Sequence, residues 1–208
     1  MPSLGKTASS DHRSRMWNSG SSLEKHLALM KRQVKRSLED PETVQLANRL
    51  VSNRYDYMND PESGKRIVVV KAWGDYYRAP TTAACKARDA SCEIVKMWDF
   101  AVLNLRYTYD PADTDTFRTV KESLQGGGTD CDDYVIFFAS LLGAIGFTSV
   151  GARVISEDGQ SWGHVYALVG CPHNNPQRWI ALDPTVAGVQ PGWEFPRARA
   201  RRDFELIG

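Results

Sequence analysis

Three consecutive glycines, Gly126-Gly127-Gly128, run into Thr129-Asp130-Cys131-Asp132-Asp133. Beyond them Tyr134, Phe138, Leu141 and Ile145 recur at helical spacing, with Val135 and Leu142 beside them. Glycine takes backbone conformations that other residues avoid, so the triplet reads as a loop opening into a helix buried on most sides. The rest of the chain has to be organised around that helix. Cys131 falls in its first turn, where unpaired N–H groups and the macrodipole favour an anion and lower a thiol pKa. A cysteine on an apolar helix is more often a small core residue, so a nucleophilic reading needs a base and an orienting acid close by.

Both are found in one expected hairpin. Gly163-His164-Val165-Tyr166-Ala167-Leu168-Val169 and Arg178-Trp179-Ile180-Ala181-Leu182-Asp183 are short, apolar and β-prone, and the residues between them, Gly170 to Gln177, are turn formers. If the hairpin is symmetric about His173 and Asn174, Leu168 faces Trp179, Tyr166 faces Ala181 and His164 faces Asp183. Opposed residues project from one face of a sheet, so the register brings an imidazole and a carboxylate together. A cysteine at a helix start, with a histidine and an acid on neighbouring strands, is the arrangement of thiol acyl transfer. His164 takes the proton of Cys131, and Asp183 holds the imidazole tautomer. Taken singly, the histidine has a bland reading as a hydrogen-bonded strand residue, and Asp183-Pro184-Thr185 as an ordinary turn start.

Gly128-Thr129-Asp130-Cys131-Asp132-Asp133, Gly146-Phe147 leading to Ala152-Arg153-Val154, Gly163-His164-Val165, and Trp179-Ile180-Ala181-Leu182-Asp183-Pro184-Thr185 follow one another in a recognisable order. In order and spacing they resemble the core of the transglutaminase-like superfamily of cysteine enzymes, over about residues 90 to 186. The resemblance implies Cys131 as nucleophile, His164 as base and Asp183 as third member. It also implies an α+β fold with a papain-like core, the nucleophile helix packed on an antiparallel sheet; the helical patterns ahead of residue 80 add an N-terminal helical extension. Thr129 stands where a glycine is frequent before Asp-Cys. The function so implied is a cysteine-dependent amide hydrolase or acyl transferase, a peptidase or amidase when water accepts the acyl group and a transglutaminase when an amine does. The layout of the whole chain is similar, in a more general way, to transglutaminase-like proteins encoded among phage structural genes. That similarity implies a virion-associated protein acting on a peptide or protein amide, such as cell-wall peptide, in contact with virion structural proteins. The reading from a different class is a non-catalytic structural protein that keeps the fold.

Composition sets wider bounds. With 208 residues, 42 % of them hydrophobic, the chain can bury one good core, and its net charge of +1 calls for no strongly charged partner. The first 36 residues carry eight Lys or Arg against Asp11 and Glu24, which leaves the remainder near −5. Basic termini of this kind can touch nucleic acid, but a solvated basic helix face is the commoner meaning. No apolar run approaches a membrane span, and Met1 to Gly20 has no signal-peptide core, so cytoplasmic synthesis without a membrane partner is expected. The expected organisation is a flexible arm over 1–20, a helical extension over 21–80, the catalytic core over 81–190 and a basic tail over 191–208.

Along the chain, Leu27, Met30, Val34 and Leu38 mark a basic amphipathic helix, and Asp40-Pro41 starts another. Ile67 to Val70 is extended, Cys85 to Leu105 is a long helix, and Tyr107-Thr108-Tyr109-Asp110-Pro111 ends it. Cys85 and Cys92 would then share a helix face too far apart for a disulfide, and are expected as free buried thiols. Cys171-Pro172-His173 has no second pair at ligand spacing, so neither a metal nor another cofactor is expected. For the oxyanion of a tetrahedral intermediate the candidate donors are the N–H of Cys131, the side chain of Gln125 six residues upstream, and the indole of Trp162. Asp132 and Asp133 suit a helix N-terminus and are expected to be structural, although as neighbours they disfavour a thiolate.

Overall fold

The computed structural model describes residues 20–110, 115–126 and 128–207. The arm expected before residue 20, Gly127 of the glycine triplet and Pro111 lie outside the described residues. Among the described residues the chain is mixed helix and sheet, with two antiparallel sheets.

Helix α1 (Gly20–Glu39) buries Leu23, Leu27, Met30 and Val34 on one stripe and leaves Lys31, Arg32, Lys35 and Arg36 exposed, as its periodicity requires. Asp40 caps α2 (Pro41–Val51), accepting from the Glu42 N–H at 3.0 Å, with Pro41 pre-set for the first turn. Three short strands follow, β1 (Asp56–Asn59), β2 (Arg66–Ala72) and β3 (Asp75–Arg78), in that spatial order. The turn into β3 is tied to the start of α2: the Trp73 indole donates to Asp40 at 2.8 Å, and the Trp73 N–H donates to Glu42. The N-terminal extension is therefore helical and β together.

Helix α3 (Ala90–Asn104) begins five residues later than the apolar pattern predicts, because Asp89 caps it by accepting from the Cys92 N–H. Cys85 thus lies in the turn before the helix. The two cysteines are not free thiols but a disulfide, Cα–Cα 5.5 Å, whereas seven residues of continuous helix span roughly 10 Å. After α4 (Val120–Gln125) comes the central helix α5 (Cys131–Ala144), which opens on a capping box between Asp130 and Asp133. Every residue from Asp132 to Leu142 is buried. Helices α1 to α4 and strands β4 and β5 all pack against α5, and one apolar cluster runs from Leu23 to Leu182.

The second sheet has the order β6-β5-β4-β7, with β4 (Val150–Ser156), β5 (His164–Cys171), β6 (Arg178–Leu182) and β7 (Ala200–Ile207). Strand β7 is built from what reads in sequence as a basic tail. It pairs with β4, with a register shift at Val150/Gly151, and a Cβ at Gly151 would stand 2.5 Å from the Phe204 carbonyl, so only glycine admits that approach. Alternation along β5 turns Val165, Ala167 and Val169 toward α5. Tyr166 and Leu168 face the other way, where Phe195 and Ala198 cover them. Among the described residues no helix is long and apolar enough to cross a membrane.

Candidate active site

His164 is the first residue of β5, and Asp183 follows the last residue of β6. The observed pairing is Ala167 with Leu182, Leu168 with Ala181 and Gly170 with Trp179, two residues displaced from the symmetric register. The loop is centred one residue later than expected, because Cys171 pairs with Arg178 and the turn runs from Pro172 to Gln177. A two-residue slip is one full side-chain period and keeps every residue on its face. The directly opposed pair becomes a diagonal one, and the His164 Nε2 still lies 2.7 Å from the Asp183 carboxylate.

The environment of that carboxylate differs from an ordinary turn aspartate. Asp183 is 2 % exposed, and it accepts from the Thr185 hydroxyl at 2.6 Å and the Thr185 N–H at 3.3 Å as well as from His164. Burial pushes its pKa up, but His164 and the two Thr185 donors outweigh burial and hold it below the usual carboxylate value. It stays an acceptor, so His164 Nε2 is the ring nitrogen that donates to it, and in the neutral imidazole Nδ1 keeps its lone pair.

Cys131 opens α5, half-buried, with its backbone N–H at the first helical position and no helical acceptor. Strand β6 stops opposite Ala167, so the opening of β5 has no strand beside it on that edge. There the N–H of Val165, the residue after His164, faces the Cys131 sulfur and favours its ionised form, and the Asp183 charge is felt at the thiol. Among the described residues no hydrogen bond joins the thiol to His164 itself. In resting thiol and serine sites that contact is often long and tightens only with substrate bound.

The thiol is not the acidic one that a helix start predicts. Burial first, then Asp132, Asp130 and Asp183, push its pKa well above the usual cysteine value, against which the Val165 N–H is a lesser effect. Burial also raises Asp132, which shares a hydrogen bond with Asp130. Burial and Asp130 push Asp133 up to about 6, opposed by Arg118. Arg118 pairs with both Asp133 and Asp110, and its own N–H donates to Asp133 at 2.7 Å. The oxygens of Asp130, Asp132 and Asp133 fall within 4.8 Å of one another. The helix cap and the Arg118 pair occupy Asp133, so the trio reads as the anchoring of the turn that carries Cys131.

Of the two side-chain oxyanion candidates, Gln125 is exposed on the last turn of α4 and its amide donates to Asp75 of β3 at 2.9 Å. Trp162 is half-buried against the core, and its indole N–H has no protein acceptor among the described residues. Sequence reasoning passed over Tyr107. A parallel bridge sets it beside Thr129, two residues ahead of Cys131, and it lies close enough for a thiolate to disfavour ionisation of its phenol. Its only signal in the sequence was an aromatic placed before a turn. No protein-family model matches the chain, and no curated protein or solved structure matches it significantly.

Proposed function

We propose that the protein is a thiol acyl-transfer enzyme of the transglutaminase-like kind, with Cys131 as nucleophile, His164 as base and Asp183 as the residue that orients the base. The fold that accompanies this reading is a papain-like core in which α5 carries the nucleophile over β4 and β5. The observation that carries it is the 2.7 Å contact of His164 Nε2 with the buried Asp183, made at the strand end that also faces the Cys131 sulfur. It leaves Nδ1 as the acceptor for the thiol proton. The sulfur attacks an amide carbonyl, the amine leaves with a proton from the imidazolium, and water or a second amine releases the acyl group. A peptide or protein amide is the substrate, and attachment to a virion is the setting in which the phage-like layout makes sense.

The raised thiol pKa favours the other reading, a scaffold that keeps the fold without the chemistry. Labelling with a thiol-directed activity probe, with the adduct mapped by mass spectrometry, decides between them. An enzyme takes the label at Cys131 ahead of Cys171 and loses it in His164→Ala. Equal labelling of the two thiols, or labelling indifferent to His164, leaves the scaffold.

A further inference from the structure

The segment that ends α3 returns to the nucleophile. Leu105 caps α3, and the chain then lies parallel to the glycine loop. Thr129 N–H donates to the Arg106 carbonyl at 3.1 Å, Thr108 N–H donates to the Thr129 carbonyl at 3.0 Å, and Tyr107 forms the bridge between these bonds. Gly128 makes the approach close, since a Cβ there would stand 3.2 Å from the Thr108 side chain. Thr129 is fully buried and one residue before the helix cap, so the backbone of Tyr107 is fixed relative to Cys131. The ring is half-buried and packs on the same core that receives Cys131. The Tyr109 ring meets it edge-on at 5.0 Å.

We propose that the Tyr107 hydroxyl donates a hydrogen bond to the oxyanion formed when the Cys131 sulfur adds to a carbonyl. This rests on the thiol acyl-transfer reading and adds to it a side-chain donor, the Gln125 amide being engaged with Asp75. In the step, the thiol proton passes to His164 Nδ1, the new S–C bond forms, and the carbonyl π pair moves onto oxygen. The oxygen accepts from the Cys131 N–H and from Tyr107 without taking either proton. Collapse re-forms the C=O bond and expels the leaving group. Burial, the charge of Cys131 and the Tyr109 hydroxyl all push the Tyr107 pKa far above that of an ordinary phenol. It therefore remains a donor while negative charge develops beside it. A hydroxyl turns to a new acceptor by rotating about one bond.

Two electrophiles separate this role from a structural one. Acylation of Cys131 by p-nitrophenyl acetate passes through an oxyanion, and alkylation by iodoacetamide does not. In a Cys171→Ser background, Tyr107→Phe should slow acylation about 100-fold, as removal of one oxyanion donor does elsewhere, while alkylation at the same pH changes less than about twofold. Equal loss in both reactions would make Tyr107 a packing or thiol-tuning residue and overturn the proposal, as would no loss in either. Should the phenylalanine variant fold poorly, 3-fluorotyrosine at position 107 keeps the ring and sharpens the donor. It should then acylate at the parent rate or faster, and slower acylation with unchanged alkylation counts against the proposal. Failure of the parent protein to acylate at Cys131 at all refutes the enzyme reading itself, an outcome distinct from any effect of Tyr107.

Discussion

Replacing Asp183 by asparagine tests the dyad with the least disturbance of shape. The carboxylate accepts from His164 Nε2 at 2.7 Å and from Thr185 at 2.6 Å and 3.3 Å. An asparagine has one oxygen for these donors. If that oxygen stays with Thr185, the amide N–H2 faces Nε2, which must then accept, and the imidazole proton moves to Nδ1. Nδ1 is the atom that has to receive the thiol proton, so the tautomer is wrong. In serine enzymes this change costs about ten-thousand-fold in turnover, or about 5.4 kcal/mol at 1.36 kcal/mol per decade. Cysteine is the stronger acid and nucleophile, so a loss nearer 100- to 1,000-fold is expected here, about 3 to 4 kcal/mol. Stability should move little, because the lost charge-assisted bond is offset by the smaller cost of burying an amide. A net change of about 1 kcal/mol corresponds to roughly 2 to 4 °C in Tm for a chain of this size. The assay is the rate of p-nitrophenyl acetate acylation beside a thermal melt. The comparison variant is Asp158→Asn in the turn before β5. It should leave acylation unchanged, although it loosens a turn in which Asp158 accepts from Ser156, Gln160 and Ser161. Equal rates in the two variants would refute the tautomer reasoning, and a collapse of Tm in Asp183→Asn with unchanged chemistry would make the residue structural.

Cys131→Ala should abolish acylation and keep the parent melting temperature to within a few degrees, because a small half-buried residue at a helix start is replaced by a smaller one; a large drop in Tm argues for a packing cysteine instead. Alkylation of Cys131 by iodoacetamide should climb at pH values above those of a free cysteine, and Asp132→Asn should shift the midpoint down, since burial and then Asp132 lead the causes that raise the thiol. Asp133, with a folded pKa of about 6, holds its proton more tightly folded than unfolded. Its contribution to stability is therefore present below the unfolded carboxyl value and lost as pH rises through about 6, so urea unfolding of Asp133→Asn should show a flatter slope than the parent between pH 4 and 6. Reduction of Cys85–Cys92, or the double change to serine, releases an eight-residue loop that runs into the first turn of α3 and should cost about 2 to 3 kcal/mol, read as a fall in Tm that the reduced parent and the double variant share.

What could be read from the sequence follows the range of the interaction that decides it. The stripe on α1, the Asp40-Pro41 start of α2 and the apolar run of α5 depend on neighbours within a turn or two. The helix pattern and cap chemistry were enough for these. The His164–Asp183 pair was legible for a different reason. Sheets repeat every two residues, so a register misplaced by two still put both side chains on one face. The tail from Ala200 to Ile207 carries arginines where a strand pattern would carry apolar residues. It forms β7 at the sheet edge, where only one side needs to be apolar, and no local signal announces that. Cys85 and Cys92 were misread because the seven-residue spacing was laid on a helix that starts only at Ala90.

The thiol is the instructive failure. A helix start does favour an anion, but by an amount typical of a dipole, about 0.3 to 2 kcal/mol. Here it competes with burial and with Asp130, Asp132 and Asp183, two of which flank the cysteine in sequence and one of which arrives from another strand. Together these causes disfavour a thiolate at Cys131 before substrate arrives. Proton transfer then has to accompany the attack on carbon, so the atom that receives the proton must already be the unprotonated one. On the proposed reading Asp183 decides that by accepting from Nε2. In an enzyme built this way the orienting acid matters more than it does where a thiolate–imidazolium pair is preformed. The loss on Asp183→Asn should accordingly fall toward the upper end of the range given above, and a loss below tenfold would mean that the thiol ionises without help from His164.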